Sequence, residues 1–230
     1  MADLALQGHP DIALTVRRSA RARRITLRIS QLDGRVTLTL PQGVSEAAAV
    51  EFAQQKAAWI RKHLAQRVED VVVALGQEIP VAGQMRLVEP GIGRAVRLEG
   101  DRLFVPGAEA SVPRRAFGFL KTLARDRLVA ASDHYAARLG RQYSGISIRD
   151  TRSRWGSCSS AGRLMYSWRL IMAPPEVLDY VVAHEVAHLA QMNHSPAFWA
   201  EVTHLFGPFD SPRHWLRAEG NALHRYRFGD

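Results

Sequence analysis

Val181-Val182-Ala183-His184-Glu185-Val186-Ala187-His188-Leu189-Ala190, followed by Asn193-His194-Ser195-Pro196, is the stretch around which the rest of the chain is organised. It reads His-Glu-x-x-His with a third histidine six residues on. An α-helix advances about 100° per residue, so His184 and His188 stack one turn apart on one face. At that spacing two imidazoles reach a single ion at about 2.0–2.1 Å each, the zinc–nitrogen distance. Glu185 lies about 100° around from His184, beside the ion without having to ligate it, where it can take a proton from bound water. Ten residues of unbroken helix would carry His194 about 15 Å along the axis, so the chain has to turn between Ala190 and His194. Asn193 suits a left-handed helix end, and Ser195-Pro196 reads as an N-cap with proline at the first position of a new helix. Three protein ligands and one open position is the catalytic form of zinc, whereas structural zinc is closed by four.

His-Glu-x-x-His alone is a short pattern, and its surroundings give it weight. From Pro174 to Gln191, Leu178, Val182, Val186 and Leu189 recur at helical spacing, and the segment is apolar nearly all round. Such a helix is buried. Three polar groups buried without partners cost on the order of 1–3 kcal/mol each, and a metal removes that objection. Glu201 is the alternative third ligand, and Cys158 as a fourth would close the site and abolish catalysis. His204, His214 and His224 fall in a polar tail expected to be exposed and without a role.

Asp150-Thr151-Arg152-Ser153-Arg154-Trp155-Gly156-Ser157-Cys158-Ser159, Trp168-Arg169-Leu170, Ala173 to Val182, His184 to His188, and Asn193-His194-Ser195-Pro196-x-Phe198-Trp199 closely resemble the YgjP-like metal-dependent hydrolases. These are zincin-type metallopeptidase domains related to the SprT-like proteases. The resemblance covers most of the chain, is strongest from about Gly145 to Leu205, and weakens to an echo in the Arg-rich N-terminus. It implies zinc on His184, His188 and His194 with Glu185 as general base, and a protein or peptide substrate. The metzincins share the third-histidine offset but have glycine where this chain has Gln191, so that family's turn is not reproduced. By analogy with zincins, the segment around Arg154-Trp155-Gly156-Ser157 is expected to hold substrate as an added strand; the alternative is a glycine-rich turn whose tryptophan packs in the core. Tyr166 and Arg154 are the candidates for a second oxyanion donor.

The fold class expected is α+β. Residues 1–108 read as a β-rich region with one amphipathic helix, and 109–230 as a zincin-like helical domain with a small sheet beside the active-site helix. Arg24 to Ile29 and Val36 to Leu40 alternate with period two around Asp33-Gly34, a type I′ hairpin signal. Pairing Leu32 with Arg35 sets Ile29 opposite Leu38 and Leu27 opposite Leu40. Ser45 opens a helix to about Glu69, short apolar runs from Val71 to Val105 form a meandering sheet, and a helix runs from about Arg114 to Leu139, ending at Gly140. Strands are expected at Ile146 to Arg152 and Arg163 to Leu170.

Apolar residues make up 47% and charged residues 23% of the 230, an ordinary globular composition. No run of about 18 apolar residues is present, so no membrane span is expected, and the N-terminus lacks the features of a signal peptide. A single cysteine, Cys158, permits no internal disulfide and fits a cytoplasmic protein. The net charge of +9 raises nucleic acid as a partner, through arginines 17, 18, 21, 23, 24 and 28 on the N-terminal sheet. Only three of the 31 cations are lysines, however, and arginine bias of this kind also arises from coding composition, so a solvated face is the reading preferred.

Overall fold

The computed structural model describes residues 2–6, 9–30, 34–65 and 69–229. They form an α+β fold that divides into two compact units, Met1–Glu69 and Asp70–Asp230.

In the first unit, strands β1 (Ala2–Leu6), β2 (His9–Arg18), β3 (Thr26–Ile29) and β4 (Val36–Leu40) make a four-stranded sheet in the order β1-β2-β4-β3. Period-two patterning sends Ile12, Leu14, Val16, Val36, Leu38 and Leu40 to one face, which is buried. Ala49, Ala53, Ala57 and Ile60 from helices α1 (Glu46–Gln55) and α2 (Ala57–Ala65) complete this core. Ser45 caps α1 by accepting from Ala48 N, as its residue type predicts. The single helix expected to Glu69 is two: Lys56 leaves helical geometry at φ −99°, ψ 6°, and residues 66–68 lie outside those described. The hairpin register also differs. Ile29 pairs with Val36 and Leu27 with Leu38, two residues away from the pairing expected, while Leu32 lies outside the described residues. A two-residue slip preserves parity, so the buried face is the one expected.

The second unit begins with β5 (Val71–Val72), β6 (Glu78–Val81), β7 (Gln84–Gly91), β8 (Arg97–Glu99) and β9 (Arg102–Pro106). The last four form a sheet in the order β6-β7-β9-β8. Its inward residues Ile79, Val81, Val88, Leu103 and Val105 enter the same core as the helices that follow. Residues 70–108 are therefore compact with the C-terminal part, and the break near 108 expected from Pro106-Gly107 does not coincide with the division at Glu69. That division separates two hydrophobic cores, which local punctuation cannot report.

Helix α3 (Val112–Leu139) presents Ala116, Leu120, Ala124, Leu128 and Tyr135 along one buried stripe. It ends at Gly140, whose φ of 66° is left-handed. Strands β10 (Gly145–Arg149), β11 (Gly156–Cys158) and β12 (Arg163–Ser167) form a sheet in the order β10-β12-β11, leaving β11 at an edge. A 3-10 turn, Trp168–Met172, leads into α4 (Pro175–Ala187), then α5 (Pro196–Phe206), α6 (Asp210–Ala218), a further 3-10 turn at Gly220–Arg225 and β13 (Tyr226–Arg227), which pairs with β5. Helix α4 packs on α3, α5, α6 and β11. Nine of its residues are buried, as an all-round apolar sequence requires. Among the described residues no helix is long and apolar enough to cross a membrane.

Candidate active site

Helix α4 carries His184 and Glu185 in its last turn, and His188 is its C-cap residue. The cap amides of Leu189, Ala190 and Gln191 close on Val186 O and Ala187 O, so the chain turns away within one turn of His188. Asn193 does this without the left-handed conformation expected of it, since Ala82 is the one non-glycine with positive φ among the described residues. Ser195 then accepts from Phe198 N, and Pro196 stands at the start of α5. His194 thus sits in the corner between two helices and folds back on the first.

The result is a cluster of three imidazoles. One nitrogen from each of His184, His188 and His194 lies within 4.8 Å of the others, and the Nε2 atoms of His184 and His194 are 3.1 Å apart. Neither Glu201 nor Cys158 belongs to this group. His188 Nδ1–H donates to Gln191 O at 2.9 Å, which fixes its tautomer and turns Nε2 inward. The peptide of Gln191 therefore orients a ring at the position where metzincins carry glycine. His188 stacks on Phe198, centroids 4.4 Å apart, while Tyr180 and Trp199 flank His184 at 6.0 and 5.7 Å. Burial first, then the neighbouring charges of His188, His194 and Arg213, push the His184 pKa down to about 3. Burial also lowers His188, against the opposing bond to Gln191. Neutral imidazole is the form that ligates a metal.

Fit to a cation can be judged on these residues alone. Three nitrogen donors converge with no carboxylate among them, and His184 Nδ1 is buried without a protein partner. Two neutral ring nitrogens held at 3.1 Å satisfy each other only if one carries a proton, and lone pairs that face one another are what a shared divalent ion requires. The donor set suits a divalent transition-metal ion.

Glu185 stands on the other side of α4's end, against strand β11. Its carboxylate accepts from Cys158 N–H, and Arg154 lies near enough for its charge to act on it. Both contacts lower its pKa, but burial is the larger effect and raises it to about 7. The approach is close because residue 156 has no side chain: a Cβ there would lie 2.6 Å from Glu185 Cγ and 2.7 Å from Oε1. β11 pairs antiparallel with β12 (Gly156 with Tyr166, Cys158 with Leu164). The glycine-rich stretch is thus a strand at its start and a turn only afterwards.

Several residues sit elsewhere than their sequence implies. Tyr166 has no exposed surface and its hydroxyl meets Ser132 Oγ at 3.2 Å, so it cannot present a donor to substrate. Arg154 is exposed. His224, expected in an exposed tail, is buried: its ring lies 5.2 Å from that of Trp155, and burial pushes its pKa down to about 4. His204 and His214 are exposed.

Sequence reasoning also gave no role to the pair that ties these parts together. Arg169, almost wholly buried, donates from Nε and Nη2 to the two carboxylate oxygens of Asp150 at 2.8 and 3.1 Å. Its Nη1 donates to Leu223 O and Tyr226 O at 2.9 and 3.1 Å. One guanidinium thereby joins the segment entering β11 to the C-terminal turn under Trp155. The available signal was an arginine beside tryptophan in an otherwise apolar run, Trp168-Arg169-Leu170-Ile171-Met172. A polar cavity of about 500 Å³ adjoins His188, with Arg141, Ser159 and Met192 in its wall.

A family model described as "YgjP-like, metallopeptidase domain" matches residues 23–219. No curated protein matches the chain. Among solved structures, the crystal structure of the metallopeptidase zymogen of Pyrococcus abyssi abylysin is similar, with 24% sequence identity and a TM-score of 0.37, over 44% of this chain and 98% of that one.

Proposed function

This chain belongs to the YgjP-like family of metallopeptidase domains, a metal-dependent hydrolase family, and from that premise we propose a zinc peptidase with Glu185 as general base and His184, His188 and His194 as ligands. The observation that carries the reading is the convergence of those three ring nitrogens within 4.8 Å, one helix turn from a buried carboxylate. A bound zinc ion supplies the Lewis acidity that polarises a carbonyl and makes water nucleophilic near neutral pH.

The protein's own residues do the rest. Gln191 O and the rings of Phe198, Tyr180 and Trp199 hold the imidazoles of His184 and His188 in place, while His194 faces solvent on the open side of the cluster. Glu185, poised near pH 7 by burial, accepts a proton from the attacking water at a carboxylate oxygen and returns it to the departing amine. The Cys158 amide aims the carboxylate, and Gly156 lets the strand come this close. In this reading Arg154, exposed and near enough for its charge to act on Glu185, offsets negative charge on a tetrahedral oxygen. The substrate is a protein or peptide chain whose backbone lies along the edge strand β11.

The test is metal analysis of the purified protein alongside a casein or peptide-library digest. Glu185→Gln is expected to keep its zinc and lose hydrolysis; activity surviving that change refutes the base assignment. His194→Ala is expected to lose zinc while Glu201→Ala keeps it, and the reverse result hands the third position to Glu201.

A further inference from the structure

The wet face of the N-terminal sheet holds charge that the peptidase reading does not use. Across β2, β4 and β3 the register places Arg17, Thr39 and Thr26 in one row and sets Thr37 beside Arg28 in the next. At about 4.8 Å between strands and 3.3 Å per residue, the two arginine backbones lie ~12 Å apart on a diagonal. Between them is a cavity of about 460 Å³, lined by Arg17, Arg28 and Arg35 with the hydroxyl-bearing Thr26, Thr37 and Thr39. Among the described residues that line it there is neither a carboxylate nor an aromatic ring. Arg18, by contrast, turns away and donates to Gln42 O and Val44 O. Arg21, Arg23 and Arg24 are exposed on the loop that joins β2 to β3. Residues 1–69 hold eleven Lys and Arg against six Asp and Glu.

Cross-strand charges on a solvated face are commonly matched by opposite charges. Here the cross-strand partners of Arg17 and Arg28 are threonines, so like charges share one concavity and an anion relieves them. We propose that this groove binds the phosphate backbone of duplex nucleic acid. Planar guanidinium forks and short hydroxyls are the side chains that contact phosphate oxygens. The lack of aromatic rings argues against a single-strand stacking platform, and the lack of an apolar anchor argues against a peptide as occupant. Recognition of this kind is independent of base sequence and falls in the affinity class of non-specific binding, about 10⁻⁴–10⁻⁶ M at physiological salt. It is independent of the peptidase assignment, since none of these residues belongs to the His184–His194 site.

The test is fluorescence anisotropy of the full chain with a labelled 20-base-pair duplex, titrated between 50 and 200 mM salt. Two phosphate contacts, from Arg17 and Arg28, at a slope of about −0.9 each, predict a loss of affinity of about 12-fold over that range. Arg17→Gln and Arg28→Gln each remove one contact, which reduces the loss to about 3.5-fold. Arg28→Lys keeps the charge and is expected to bind within about 3-fold of wild type. Absence of duplex binding, a salt-independent affinity, equal binding by the Gln and Lys variants, or tighter binding of a single strand or of polyglutamate than of the duplex each overturns the proposal.

Discussion

Gly156→Ala isolates the placement of Glu185 from the stability of the fold. The added Cβ would stand 2.6 Å from Glu185 Cγ, 2.9 Å from Cδ and 2.7 Å from Oε1, whereas ordinary contact begins near 3.4 Å. The carboxylate must therefore retreat by about 0.8 Å, the difference between those distances. All three crowded atoms belong to the end of one flexible side chain, so the backbone of β11 need not move. Alanine also removes some of the conformational entropy that glycine costs in a strand, about 0.5–1 kcal/mol. Folding stability is therefore expected to change by less than about 1 kcal/mol. Catalysis is less tolerant, because displacing a reacting group by about 1 Å costs on the order of 100-fold in rate, about 2.7 kcal/mol of barrier. The assay is kcat/KM on a fluorogenic peptide, read beside zinc content and the urea midpoint. A fall of about 100-fold with zinc and midpoint unchanged is the expected outcome. Activity within about 3-fold of wild type, or a loss accompanied by metal loss or unfolding, refutes the argument.

Arg169→Ala leaves the buried carbonyls of Leu223 and Tyr226 and the half-exposed carboxylate of Asp150 without their donor, a change expected to cost about 2–3 kcal/mol; urea denaturation reads it, and a loss below about 1 kcal/mol contradicts the role assigned to this guanidinium. Stability is also expected to fall as the pH is lowered. Burial, helped by the Arg169 charge, depresses His224 from 6.5 to about 4, so the unfolded chain takes up its proton first and stability present above pH 6.5 is lost down to about pH 4, by at most about 3 kcal/mol. Burial alone would raise the Asp150 carboxyl, but the bonds and charge of Arg169 outweigh it and hold it below 3.8, which extends the loss to lower pH. His224→Gln is expected to flatten the limb between pH 6.5 and 4, and an unchanged pH profile would rule out the cause given. Chelation is expected to lower Tm: an ion at 1,000 times its Kd contributes about 4 kcal/mol, or about 8–16 °C for a chain of this size. Equal Tm values with and without chelator would mean that the three histidines bind no ion in the folded state.

Much of the candidate site is legible in one dimension because its spacing is helical. His184, Glu185 and His188 take their relative directions from about 100° per residue, and Ser195-Pro196 starts α5 by capping chemistry that acts within three residues. The buried character of α4 and the solvated face of the N-terminal sheet follow in the same way from periodicity. What the sequence by itself could not settle are contacts between segments distant along the chain. Gly156 against Glu185, the Gln191 carbonyl on His188 and Arg169 bridging Asp150 to Leu223 and Tyr226 depend on how β11, α4 and the C-terminal turn are brought together. His224 reads as a surface residue among polar neighbours and is buried where the C-terminal turn meets Trp155. The hairpin register slipped by two for the same reason: local alternation determines which face a residue takes but not which partner it meets, and the partner is chosen by packing of the whole sheet.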